Sequence, residues 1–166
     1  KGVGALIYKQ NLEIGKRLYG SNAQNGIKPG TLDLGLCVCT CKAIKKFYPK
    51  TFENYNYVKK LNEKLVKGLK EIDYVEINST SKSSPYIVNI SIPSMNGETV
   101  VHALEEKEIY VSTGSSCSSK LKKPEKTILA ITGSVERATS SIRISLSPLV
   151  REEEIDILLK VLGEIK

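Results

Sequence analysis

The sequence predicts an α/β or α+β domain in which helices cover a small sheet. Three stretches carry that expectation. Residues 140–146, "SSIRISL", alternate so that Ile142, Ile144 and Leu146 share one face of a strand while Arg143 and Ser145 share the other. Between 51 and 72, Tyr55, Val58, Leu61, Leu65, Leu69 and Ile72 recur every three or four positions, which makes one apolar stripe of a helix. Residues 151–165 repeat that period with Ile155, Leu158, Leu159, Leu162 and Ile165. They open on Glu152, Glu153 and Glu154, which suit the positive end of a helix dipole.

The remaining elements follow in chain order. "GVGALIY", residues 2–8, lies between Lys1 and Lys9 and reads as a short buried strand. A chain that opens on a bare strand suggests that something upstream is missing. "YGSNAQNGIKPGT", 19–31, has the Gly, Asn and Pro content of a long loop. Residues 32–47 read as a helix with an apolar body and a basic end, stopped by Pro49. "YVEIN" (74–78) and "YIVNISIP" (86–93) read as strands joined by the exposed "STSKSSP", with Val88, Ile90 and Ile92 on one face. A short helix over 96–107, a strand over 108–112 and a short helix over 124–131 beginning on Pro124 complete the set.

At 166 residues, 26% charged and 40% hydrophobic, the chain has the size and composition of one soluble domain with a sizeable core. No apolar run approaches the roughly 18 residues of a membrane span, and no secretory signal is visible. The net charge of +7 comes largely from lysines spread along faces such as "VKKLNEKLVKGLKE". With no Trp and no aromatic–basic interleaving, those lysines mark a solvated surface rather than a nucleic-acid groove. Four cysteines without a secretory signal point to free thiols in a reducing, cytoplasmic setting.

Cys117 is the first candidate for chemistry. Gly114, Ser115, Ser116, Ser118 and Ser119 give its loop little apolar bulk, so the thiol is expected to be exposed or mobile. Lys120, Lys122 and Lys123 make the surroundings electropositive and favour the thiolate. Local composition leaves two readings open, a nucleophile and an ordinary surface cysteine. Arg143 is the second candidate, because a guanidinium in the middle of an apolar strand needs a carboxylate. A substrate carboxylate and an internal salt bridge both answer that need.

Other features weigh less. Cys37, Cys39 and Cys41 alternate in "CVCTC", but on a helix Cys39 points away from the other two. Small apolar fillers of a core helix account for them better than a metal site, since too few His and Cys remain to complete one. His102, the only histidine, has no carboxylate or cysteine at a motif spacing and reads as a structural or surface residue. The "GVG" of residues 2–4 is too short for a dinucleotide fingerprint.

Taken in order, "KGVGALIY", "NGIKPGT", "ALEEKEIYVSTGSSCSS" and "SSIRISLSPLVREEEID" resemble the C-terminal half of cysteine desulfurases. These are class V aminotransferase-like enzymes of the fold type I pyridoxal phosphate group. The serine-rich stretch resembles their long-cysteine-loop type. The resemblance implies that residues 1–48 end a large cofactor-binding domain with its last strand, dimer loop and linking helix. Residues 49–166 then form a small domain, a mostly antiparallel sheet under helices. It also implies an enzyme that uses pyridoxal phosphate to convert L-cysteine to L-alanine. The sulfur is taken as a persulfide on Cys117 and passed to an acceptor protein for iron–sulfur cluster assembly or tRNA thiolation.

By the same resemblance Arg143 grips the substrate carboxylate. Gly30 and Thr31 form the "GT" pair whose threonine reaches the cofactor phosphate of the partner subunit in a homodimer. Lys1 matches a later lysine of the family's motif, so the cofactor's Schiff-base lysine is expected upstream, and this chain is expected to be incomplete as a catalyst. Lys28 stands where the family usually has Arg, Ala23 where Gln is common, and Glu108 where a Gly usually follows the short helix. A Lys cannot reproduce a bidentate Arg, and Glu in a left-handed position would cost about 1 kcal/mol. A selenocysteine lyase or another class V transferase, a non-enzymatic sulfur-carrier or interaction module, and a plain thiol surface protein are the alternatives.

Overall fold

The computed structural model describes residues 2–114 and 124–165. The chain divides into two compact units, Lys1–Thr51 and Phe52–Lys166. The first contains two short 3-10 turns, Ala23–Gly26 and Tyr48–Lys50, and one α-helix, α1 (Leu34–Phe47). Asp33 caps α1 by accepting a hydrogen bond from the Leu36 N–H at 2.9 Å, and Lys45 and Lys46 sit at its negative end.

Two expectations fail in this unit. Residues 2–8 form no strand: Leu6 is 65% and Ile7 94% exposed. A strand needs a second backbone to pair with, and among the described residues none lies alongside. No residue of α1 is buried either, and Cys39 and Cys41 are exposed with Cys37 only half-buried. The three cysteines are therefore not core fillers here. Within its own unit the apolar body of the helix is only partly covered: Leu36 and Cys37 are half-buried, while Val38 and Ile44 are each 53% exposed.

The second unit holds the core. Helix α2 (Thr51–Leu69) leads into it and is followed by β1 (Glu76–Ile77), β2 (Ile87–Ser91), α3 (Gly97–Glu105) and β3 (Ser112–Thr113). Then come α4 (Lys126–Thr132), α5 (Val135–Thr139), β4 (Ser141–Ser145) and α6 (Glu152–Glu164). The strands form one antiparallel sheet in the order β1-β2-β4-β3. This is the small antiparallel sheet under helices that the resemblance implies.

One face of the sheet presents Val88, Ile90, Ile142 and Ile144 to Val58, Leu61, Leu65 and Leu69 of α2, Val100 and Leu104 of α3, and Ile155, Leu158 and Leu162 of α6. Each of these aliphatic side chains contributes about 2 kcal/mol by leaving water, so this layer dominates the stability of the unit. Two tyrosines tie the layer to its surroundings. Tyr57 Oη donates to the Val150 carbonyl at 2.8 Å, and Tyr74 Oη to the Leu162 carbonyl at 2.6 Å. On the surface, Lys64 bonds Asp156 at 2.8 Å, which raises the lysine's pKa above its usual 10.5.

Some boundaries differ from the sequence expectation. Tyr55 is 43% exposed and lies off the core stripe. The strand expected over 108–112 pairs only at Ser112 and Thr113, because 106–108 close the end of α3 instead. Pro124 is not the first helical residue: Glu125 caps α4 through Oε2, which accepts from the Ile128 N–H. Helix α5 is unforeseen, being too short to show a period.

Glu108 closes α3 with φ of 60°, the left-handed conformation that glycine adopts at no steric cost. The Ile109 N–H donates to the Leu104 carbonyl and the Glu108 N–H to that of Glu105, both at 2.9 Å. That pairing is a Schellman motif with glutamate in glycine's position. Glu108→Gly is therefore expected to stabilise the chain by about 1 kcal/mol in urea unfolding; a decrease would show that the carboxylate side chain contributes more than its backbone strain costs.

Candidate functional site

The sheet face opposite the core is polar, and its side chains line up. β2 pairs with β4 so that Asn89 stands across from Arg143, and β3 pairs with β4 so that Ser112 stands across from the other side of Arg143. On the outer side of β2, the Asn78 N–H donates to the Asn89 carbonyl at 2.9 Å, extending the row onto the β1 edge. The row thus reads Asn78, just past the end of β1, then Asn89, Arg143 and Ser112 on β2, β4 and β3. Facing side chains in such pairs have Cβ atoms about 5 Å apart. Asn89, Arg143 and Ser112 are half-buried and Asn78 is buried.

One end of the row is fixed by α5. Arg137 Nη2 donates to Asn78 Oδ1 at 2.6 Å and to the Ile77 carbonyl at 3.3 Å. Its Nε lies 3.0 Å from Asn78 Oδ1 and 2.8 Å from Glu76 Oε2. Asn78 Nδ2 in turn donates to Asn89 Oδ1 and Ser91 Oγ, each at 2.7 Å, and Ser91 Oγ donates to the Arg137 carbonyl at 2.8 Å. Arg143, by contrast, has no carboxylate within ion-pair distance among the described residues. The internal salt bridge that the sequence left open is not found there.

The other end of the row runs toward the cysteine. Ser112 is followed by Thr113 and Gly114, and Cys117 itself lies outside the described residues. The chain resumes at Pro124, and the Glu125 N–H donates to the Ala138 carbonyl at 3.0 Å, just ahead of β4. Gly114 has no room for a side chain, because a Cβ there would run into the Glu125 side chain. Gly114 and Glu125 thus lie against each other, with Glu125 tied to the residue three before β4.

Gly30 and Thr31 belong to the first unit. Gly30 has φ of 111° with open space where a Cβ would stand, and Thr31 is exposed. Thr31 lines a depression of about 490 Å³ together with Lys28, Pro29 and residues 2–6. A hydroxyl, a lysine and a backbone that a glycine keeps uncrowded suit one edge of a phosphate. They fit the phosphate end of pyridoxal phosphate and offer nothing for its ring. His102 is exposed, with Nδ1 3.1 Å from Glu105 Oε2. Among the described residues no cluster of His, Cys, Asp and Glu could hold a metal, and no helix is long and apolar enough to cross a membrane.

The family model described as aminotransferase class-V matches residues 1–158. The chain belongs to that family. It is similar to the cysteine desulfurase IscS of Buchnera aphidicola subsp. Baizongia pistaciae, with 31% identity over 167 residues, 99% of this chain and 41% of that protein. The cysteine desulfurase IscS of Clostridium botulinum (strain Kyoto / Type A2) is 33% identical over 169 residues, 99% of this chain and 43% of that one. Among solved structures, a NifS-like protein superposes with a TM-score of 0.74 at 27% identity, over 94% of this chain and 40% of that chain. A NifS-like protein from Rickettsia africae superposes at 0.73, also at 27% identity, over 93% of this chain and 40% of that chain. The chain therefore spans about two fifths of the length of the curated relatives it matches.

Alternation in the sequence places Arg143 and Asn89 on an outer face, but Asn78, Ser112 and Arg137 are not singled out by it. The outward position of Asn89 in "YIVNISIP" was readable; its partner was not, since register is a tertiary property. The network gives a ranked expectation. Asn78→Ala should cost about 1–3 kcal/mol by stranding the Arg137 donors, whereas Glu76→Gln, with a side chain 44% exposed, should cost under about 1 kcal/mol. Urea unfolding of the two variants checks the order, and equal costs would place the weight on the ion pair instead.

Proposed function

We propose that the chain is the C-terminal part of a pyridoxal phosphate-dependent cysteine desulfurase. Residues 1–48 would end its large domain and 49–166 form its small domain. It would convert L-cysteine to L-alanine and take the sulfur as a persulfide on Cys117 for an acceptor protein in iron–sulfur cluster assembly or tRNA thiolation. The observation that supports this best is the register of β3 on β4. Arg143, with no ion pair among the described residues, faces Ser112, two residues before Gly114, from which the chain runs to Cys117.

The roles follow from chemistry. The guanidinium of Arg143 offers a planar fork to the carboxylate of L-cysteine and fixes which end of the substrate it holds. Cys117 stands three residues beyond Gly114, a reach of at most about 11 Å along an extended chain. Lys120, Lys122 and Lys123 favour its thiolate. That thiolate attacks the substrate sulfur: a sulfur–sulfur bond forms as the Cβ–S bond breaks, and the carbon keeps the electron pair and takes a proton to become alanine. Bound pyridoxal phosphate supplies the electron sink that makes this cleavage accessible. Gly30, Thr31 and Lys28 would meet the phosphate from the partner subunit of a homodimer. The lysine that holds the cofactor is expected in the part of the relatives' length that this chain does not span. The exposed apolar body of α1 supports such a larger assembly, and the setting is taken to be the cytoplasm.

The test uses the full-length, cofactor-loaded protein. Cys117→Ser should lower alanine formation from L-cysteine by about 100-fold or more while the cofactor's absorbance is retained. Arg143→Lys should raise KM for L-cysteine by about tenfold or more, the loss of one charge-assisted contact. Acceptance of a persulfide at Cys117 by a protein that binds no pyridoxal phosphate would favour a sulfur carrier.

A further inference from the structure

The geometry points to Asn89 as a second donor for the carboxylate held by Arg143. This inference rests on the reading that Arg143 receives the substrate carboxylate, and it adds a residue to that subsite.

The orientation of the Asn89 amide is dictated from the far end of the row. A guanidinium only donates, so the atom of Asn78 that meets Arg137 Nη2 at 2.6 Å must be its oxygen. Asn78 Nδ2 is thereby turned toward Asn89 and Ser91. The Ser91 hydroxyl spends its proton on the Arg137 carbonyl, so it accepts from Asn78. Asn89 must then present Oδ1 to Asn78, at 2.7 Å, and its Nδ2 is left with two protons and no acceptor among the described residues.

The strand register puts that amide directly across from Arg143. The two groups cannot bond each other, because both are donors. Side by side at about 5 Å between Cβ atoms, they share a need for one acceptor with several lone pairs. A carboxylate has two oxygens and about four acceptor sites, enough for the Arg143 fork and one further N–H. Ser112, on the opposite flank of Arg143, supplies a hydroxyl that either donates or accepts. The fixed amide therefore selects an α-amino acid over the corresponding amine, and it does so without touching the reacting sulfur.

The experiment is isothermal titration of the full-length, cofactor-loaded protein with L-alanine and, separately, with cysteamine, which has no carboxylate. Asn89→Ala should weaken L-alanine about tenfold, the loss of one hydrogen bond to a charged group, and leave cysteamine unchanged. Asn89→Ser, which keeps an oxygen near Asn78 but is too short to reach across, should do the same and serves if the alanine variant does not fold. Asn78→Ala, which frees the amide to turn, should weaken L-alanine by a smaller factor. Equal weakening of both ligands, or none, overturns the proposal, since a merely structural residue would not tell them apart. If Arg143→Lys weakens L-alanine while the Asn89 variants do not, this inference alone fails. If Arg143→Lys also leaves L-alanine unchanged, the carboxylate reading of the site fails with it.

Discussion

The register of β2, β4 and β3 is the constraint on which the rest depends. In a strand the side-chain period is two, so a slip of one residue would turn Arg143 into the aliphatic layer and push Ile142 and Ile144 out of it. The core fixes the register, because Val88, Ile90, Ile142 and Ile144 are all buried against α2, α3 and α6. Once they are inside, Asn89, Arg143 and Ser112 have no choice but to share the outer face. Hydrophobic burial on one side of the sheet thus sets the spacing of the polar chemistry on the other.

The two faces differ in what they contribute. The aliphatic layer supplies most of the stability and is insensitive to direction. The polar row adds little net free energy, since hydrogen bonds exchange with water on folding, but it is directional. Arg137, anchored on Asn78, determines which end of each amide faces which neighbour. A guanidinium at the β1 edge of the sheet therefore orients a donor on the next strand, β2. That is a reason for a polar network to persist where apolar side chains would pack as well.

Much of the second unit was legible in its sequence. The α2, β2, β4 and α6 segments each have one wet face and one dry face, so period and partner agree. Glu108 was legible conditionally: the family pattern marked a glycine position, and the backbone there is left-handed. Arg143 was readable as an outward residue, while its row was not, because Asn78, Asn89 and Ser112 meet it only through strand pairing. Arg137 lies on a five-residue helix that shows no period. The first unit was read least well. The apolar run 2–8 and the cysteines of α1 look like core in sequence, but hydrophobicity shows only that a segment seeks cover, not that cover exists within the same unit.

The most direct test of the central claim is to locate the sulfur. The full-length protein would be incubated with L-cysteine, its free thiols blocked, and its peptides mapped by mass spectrometry without reductant. An added sulfur atom on the peptide bearing Cys117, lost on reduction and weakened in Arg143→Lys, is the expected result. An added sulfur confined to Cys37, Cys39 or Cys41, or none on any cysteine while alanine is still formed, would contradict it.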